Sequence, residues 1–272
     1  HDTLRGACSQ LKKKEEFRSY AITRGMIGAM RNLLPFLLQF LFHQLYTTFS
    51  FGYDTFSNII SRGEWWNWTR AAIPFVRGAR VLELALGSGS LHVDLYDAGY
   101  VPVGIDLSPY MLDLTRQKFQ ARFPNDYLVP HLVRADAKQL PFPYEYFSSL
   151  VMTFPPGFVF DGAAMRELWR VLEPNGIVIW VDDPYLHARD TWSRILNAAL
   201  NLSNVGANTG TEQVMQKLSA VDGGSLMQLF DWRVERVELA RSHVHVFLGT
   251  KRAEENEIPK EFQAVVDNVQ DD

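Results

Sequence analysis

Apolar positions along the chain recur in two alternating rhythms, and the switches between them mark out a series of elements. Arg80-Val81-Leu82-Glu83-Leu84-Ala85-Leu86-Gly87-Ser88-Gly89-Ser90-Leu91 reads as a short strand, a tight glycine loop and a helix start. Val81, Leu82 and Leu84 suit a parallel strand covered on both faces. Helical periodicity follows over 91–98, then an apolar run over 101–105 that ends in Asp106. Pro109 opens a helix to about residue 121, packing through Tyr110, Met111, Leu114 and Phe119. Strands are predicted at 128–133, where Pro130 breaks the pattern, and at 147–153. A helix over 161–172 starts from a capping Asp161, and Pro174-Asn175-Gly176 turns the chain into a strand over 177–181 that ends at Asp182-Asp183-Pro184. Helices are expected at 191–202 and 211–220. Alternation over 232–240 and 243–249 predicts two hairpin-related strands near a sheet edge.

Repeated strand–helix units predict an α/β doubly wound sheet. The reading gives an N-terminal helical extension and cover over 1–75, one α/β domain over 76–252, and an acidic tail over 253–272. Residues 1–20 are polar, and Lys12-Lys13-Lys14-Glu15-Glu16 suits a solvated arm or an exposed helix. From 32 to 53 there is no Asp, Glu, Lys or Arg. A membrane span needs about 20 mainly apolar residues, and this stretch is interrupted by Pro35, Gln39, His43 and Gln44. A helix packed over the domain or a second copy, an interfacial helix and a true span all stay open.

Composition narrows the partners. The 272 residues can bury a sizeable core, and 47% of them are hydrophobic. A net charge of -4 without a basic stripe excludes the usual nucleic-acid surface. One cysteine, Cys8, excludes an intrachain disulfide framework and a cysteine-rich metal site, and suits a reducing, cytoplasmic compartment. The chain opens on His1-Asp2, which suggests that its native start lies elsewhere.

Candidate chemistry gathers at strand ends. Gly87 and Gly89 let a ligand approach the backbone, and Glu83, Asp106 and Asp136 each close a predicted strand, where a carboxylate can accept from a ribose diol. Each acid can equally cap a turn. Trp65, Trp66 and Trp68 supply either core bulk or an aromatic wall. Candidate proton acceptors are His187, His92, His43 and the Asp182-Asp183 pair. No metal is expected: the acids lack a three-ligand arrangement, and His243 and His245, alternating on an edge-like strand, read as surface or packing residues.

The set resembles the class I S-adenosylmethionine-dependent methyltransferases over residues 50–183. Residues 81–89 look like the first motif of that family, Val103-Gly104-Ile105-Asp106-Leu107-Ser108-Pro109 like its second-strand motif, and Arg134-Ala135-Asp136-Ala137 like the segment along the adenine. Glu167 to Gly176 is similar to the helix and turn before strand five. Tyr53-Asp54 and the following Trp-rich helix bring it close to the ubiquinone and menaquinone C-methyltransferase group. The resemblance implies a Rossmann-like sheet of seven strands with the last antiparallel. It also implies S-adenosyl-L-methionine as cofactor, S-adenosyl-L-homocysteine as product, and in-line transfer to a small hydrophobic acceptor. By the same likeness Tyr53, Glu83, Ala85, Gly87, Gly89, Asp106, Leu107, Asp136, Ala137 and Thr153 would line the cofactor. Trp65, Phe154, Phe158 and Tyr185 would meet the acceptor, with His187, Asp183 or His43 as base. The family has glycine where this chain has Ala85. A quinone-like acceptor would give the 32–53 segment a role in peripheral membrane contact or a homodimer. A non-methylating member of the fold, with another reaction or a binding or scaffold role, is the alternative.

Overall fold

A computed structural model describes residues 57–59, 61–124, 129–155, 157–187, 190–194, 197 and 229–252, all within the compact unit Thr48–Asp272. The calls made for 1–56, including Tyr53, His43 and the 32–53 segment, lie outside them, as do the helix at 211–220 and the acidic tail.

Seven strands form one sheet in the order β3-β2-β1-β4-β5-β7-β6: β1 (Val81–Leu84), β2 (Val103–Asp106), β3 (His131–Arg134), β4 (Phe147–Thr153), β5 (Leu172–Leu186), β6 (Phe230–Glu238) and β7 (Ser242–Lys251). The first five pair in parallel, and β7 runs antiparallel to both β5 and β6. This is the expected Rossmann-like arrangement. The order reverses between β1 and β4, so their carboxyl ends flank the crevice where doubly wound sheets take their ligands.

The helices form where the periodicity placed them. These are α1 (Trp65–Arg70), α2 (Ser90–Asp97), α3 (Pro109–Arg122) and α4 (Gly162–Val171). Pro109 at the first helical position and Ser108, whose hydroxyl accepts from the Met111 amide, start α3. Asp161 caps α4 by accepting from the Ala163 amide. The α4 stripe of Ala164, Met165, Leu168 and Trp169 packs on one sheet face with Leu82, Leu84, Leu150, Trp180 and Phe247. Trp68, Leu91 and Leu95, from α1 and α2, cover the opposite face with Val81, Val151, Ile179 and Val246. Both faces of the central strands are thus buried, as their unbroken apolar runs require.

Several boundaries differ from expectation for local reasons. Strand β3 starts at His131, after Pro130, which has no N–H to give a ladder. Strand β5 begins at Leu172, directly after α4, because Leu172 pairs with Phe147 before the register shifts. It also runs through Asp182-Asp183-Pro184 to Leu186, because β7 continues to pair with it beyond a bulge between Asp182 and Tyr185. Asp183 takes φ 53° there, the local kink that lets the strand pass. The strand carrying His243 and His245 is interior to the sheet, and β6 is the edge.

Candidate functional site

The glycine loop is held from below by Asp106. One carboxylate oxygen accepts from the Gly87 amide at 3.0 Å, the other from the Ser108 amide at 2.9 Å. Burial pushes the Asp106 carboxyl up, and these amide bonds oppose the shift. The Leu107 amide also hydrogen-bonds this carboxylate, and of its about four acceptor positions these bonds leave capacity for a hydroxyl group of a ligand at the end of β2. Among the described residues nothing lies within 4 Å of where a Gly87 side chain (φ 57°) would begin, so that face of the loop is open among them. Gly89 (φ 72°) is the opposite case: a Cβ there would lie 2.3 Å from Thr115 of α3, so its role is close packing under the loop. An open glycine face beside a strand-end carboxylate fits a nucleoside.

Ala85 occupies the loop with φ 50°, a conformation glycine adopts freely and alanine does not. Lys118 of α3 reaches the loop from outside, its Nζ donating to Ser88 Oγ at 3.1 Å and Ser90 Oγ at 2.5 Å. The sequence reading missed this residue, because nothing in the spacing of α3 singles out one lysine.

Asp136, at the end of β3, is exposed and turns back to accept from the Lys138 amide at 2.9 Å. Ala137 is buried beside it, and Leu107 is 60% exposed next to Asp106. Thr153 ends β4, and the Phe154 amide donates to Val181 O at 2.9 Å. These residues share the carboxyl-end rim with the glycine loop.

Glu83 does not. Residues alternate across a strand, so Glu83 faces the same way as Val81 and meets α2, where its Oε2 lies 2.9 Å from His92 Nδ1. His92 is wholly buried and Glu83 nearly so, and burial pushes the Glu83 carboxyl up while His92 opposes the shift. This pair fastens β1 to α2 and takes both groups out of the candidate list, Glu83 as a ribose acceptor and His92 as a base.

The acceptor candidates separate. Trp65 stacks on Phe154 with centroids 4.9 Å apart and planes at 26°, forming an aromatic cover at the end of β4. Trp68 is core: it is 3% exposed, and its Nε1 donates to Ser242 Oγ at 2.9 Å. Phe158 packs on the other sheet face. Tyr185 stacks on His243 at 5.0 Å. Of the proposed bases, Asp183 Oδ2 lies 2.9 Å from His245 Nδ1, without the alignment of a hydrogen bond. His187 Nε2 lies 3.5 Å from Glu238 Oε2. His187 also lines a cleft of ≈ 190 Å³ with Arg62, Glu64 and Arg241.

Residues 82–180 match the family model described as a methyltransferase domain. A demethylmenaquinone methyltransferase of Thermus thermophilus is 33% identical over 138 residues, covering 48% of this chain and 61% of the relative. The Proteus mirabilis ubiquinone/menaquinone biosynthesis C-methyltransferase UbiE is 32% identical over 157 residues, covering 54% and 60%. The chain therefore spans about three-fifths of the length of these curated relatives. Among solved structures, a Thermotoga maritima S-adenosylmethionine-dependent methyltransferase superposes with a TM-score of 0.50 at 17% identity, covering 76% of this chain and 100% of the other. A candidate S-adenosylmethionine-dependent methyltransferase from Methanococcus maripaludis gives 0.54 at 16%, covering 76% and 93%. At such identities the structures speak for the fold alone, while the domain match and the curated relatives are likenesses over part of the chain. Residues 82–180 thus match a methyltransferase domain, and over about half its length the chain is similar to the S-adenosylmethionine-dependent methyltransferases of the UbiE kind.

Proposed function

We propose that the protein transfers the methyl group of S-adenosyl-L-methionine to a small, apolar, quinone-type acceptor. The observation that carries this reading is the clasp of Asp106 on Gly87 beside an open glycine face at the switch point of the sheet. Asp106 would receive the ribose hydroxyls, Gly87 and Ala85 would flank the amino-acid end, and Leu107, Asp136 and Ala137 would border the adenine. When bound, the cofactor supplies an electrophilic methyl on a sulfonium, which needs little help to leave. The remaining work is alignment and exclusion of water, for which effective molarities on the order of 10⁵ M are available. The Trp65–Phe154 stack, at the end of β4 beside Thr153, suits that task by presenting rigid apolar surface. For the acceptor, the names of the curated relatives support a quinone-type ring. With such an acceptor, the uncharged 32–53 stretch is proposed to meet a membrane surface or a second copy of a cytoplasmic protein.

Calorimetric titration with S-adenosyl-L-homocysteine tests the pocket. Wild type is expected to bind at micromolar level, and Asp106→Ala at least tenfold more weakly. A folded wild type that binds neither S-adenosyl-L-homocysteine nor S-adenosyl-L-methionine overturns the reading. Ala85 favours a second reading, a cofactor-binding member with another reaction, because it narrows the loop where the family has glycine. Labelled-methyl transfer to a short-chain demethylmenaquinol separates the two: turnover supports the first, and cofactor binding without turnover of this probe favours the second.

A further inference from the structure

We propose that the protein binds one divalent transition-metal ion of the zinc class through His187, Glu238 and His243, at the outer end of the β5-β7-β6 ladder. The proposal does not depend on the methyl-transfer activity. Two donors lie on paired strands, β6 and β7, and the third directly follows β5 beside them. Glu238 faces His243 across β6 and β7, next to the turn closed by the Leu239 amide on Ser242 O at 2.8 Å. His187 follows β5, and its amide donates to Arg241 O at 2.8 Å. One ligand atom from each of the three side chains lies within 4.8 Å of the others. The His187 and His243 rings are 5.7 Å apart, and Tyr185 stacks on His243 and steadies its plane.

Two imidazole nitrogens and one carboxylate oxygen suit Zn²⁺, Co²⁺, Ni²⁺ or Cu²⁺ rather than Mg²⁺ or Ca²⁺. Bonds of about 2.0–2.2 Å to a tetrahedral ion place neighbouring donors about 3.4 Å apart. The set therefore closes by side-chain rotations of roughly 1 Å, leaving a fourth position for water.

A second observation marks the place as one that takes positive charge. The Arg236 guanidinium lies against both ligand types, its Nε 2.7 Å from Glu238 Oε1 and a terminal nitrogen 3.3 Å from His243 Nδ1. Facing that donor, Nδ1 presents its lone pair. His245, 5.5 Å from His243 between centroids, already faces Asp183 and is left out of the set. Arg236 is exposed on the sheet-edge strand and can swing away when an ion takes its place.

The test uses the full, untagged chain, freed of metal by chelator and titrated with Zn²⁺ by calorimetry. One site per chain is expected, with a Kd on the order of 10 μM or tighter. His243→Gln and Glu238→Gln should each weaken binding tenfold or more, while Arg236→Gln, which removes the competing cation, should tighten it. Co²⁺ should give the strong visible bands of four-coordinate cobalt, lost in His187→Gln. Equal melting temperatures of the metal-free variants and wild type establish that the fold is kept. A folded wild type that takes up no Zn²⁺ at this level overturns the proposal, as does binding that the histidine and glutamate variants leave unchanged.

Discussion

At Ala85 the backbone turns through φ 50°, which costs an L-residue with a side chain about 1–2 kcal/mol and glycine very little. Ala85→Gly should therefore raise the melting temperature by about 2–4 °C, less what the freer unfolded chain takes back. It should also leave S-adenosyl-L-homocysteine bound as tightly as in wild type or more so. A lower melting temperature would show that the methyl group is packed rather than strained. The sequence flagged this residue from its resemblance alone; the physical cause, the sign of one dihedral angle, is visible only once the loop is built. Asp106 was legible because an acid ending an apolar run has few other places to point. Glu83, one strand over, has the same local signature and the opposite orientation. Its partner, His92, sits on the next helix, and no local spacing announces a contact between elements.

That contact sets how β1 and α2 respond to acid and base. Burial raises the folded-state pKa of Glu83 above its unfolded value, so between those two values the unfolded chain holds fewer protons than the folded one. Stability contributed here is full below the ordinary carboxylate range and falls as pH climbs through the raised value. Glu83→Gln keeps an acceptor for the His92 ring and removes this slope. Urea midpoints measured at about pH 5 and about pH 8 should converge relative to wild type. His92→Ala leaves a buried carboxylate without its partner and should cost about 3 kcal/mol. A wild-type slope that persists in Glu83→Gln would move the cause to another group, Asp106 being the other carboxyl that burial raises. Elements built on one rhythm were well placed by the sequence, as with β4 and the α4 stripe. Strand β5 was cut short because two acids and a proline look like a stop. Only a neighbouring strand can rescue them, and β7 lies far along the chain. The same distance hid the row of His187, His243 and Glu238, whose adjacency is a matter of ladder register.

The whole molecule was legible as a doubly wound sheet with a closing hairpin, because strand and helix periods alternate cleanly from 80 to 186 and the final alternation is regular. Which strand of that hairpin would be interior was not, since alternation gives faces but not neighbours. The answer, β7 between β5 and β6, has a consequence for how the protein is made. Strand β5 is long and unbroken in its burial from Gly176 to Val181, yet one flank is completed only by residues Ser242–Lys251. A ribosome adding about 5–20 residues per second leaves that flank bare for several seconds, as an apolar edge ready to pair with any other strand. A chain ended at residue 228 should collect in the insoluble fraction while the full chain stays in solution, and a soluble, folded truncation would refute this. That hairpin is thus a latch closed only after the chain beyond β5 has emerged, and cells making this protein must shield an unfinished sheet until it arrives.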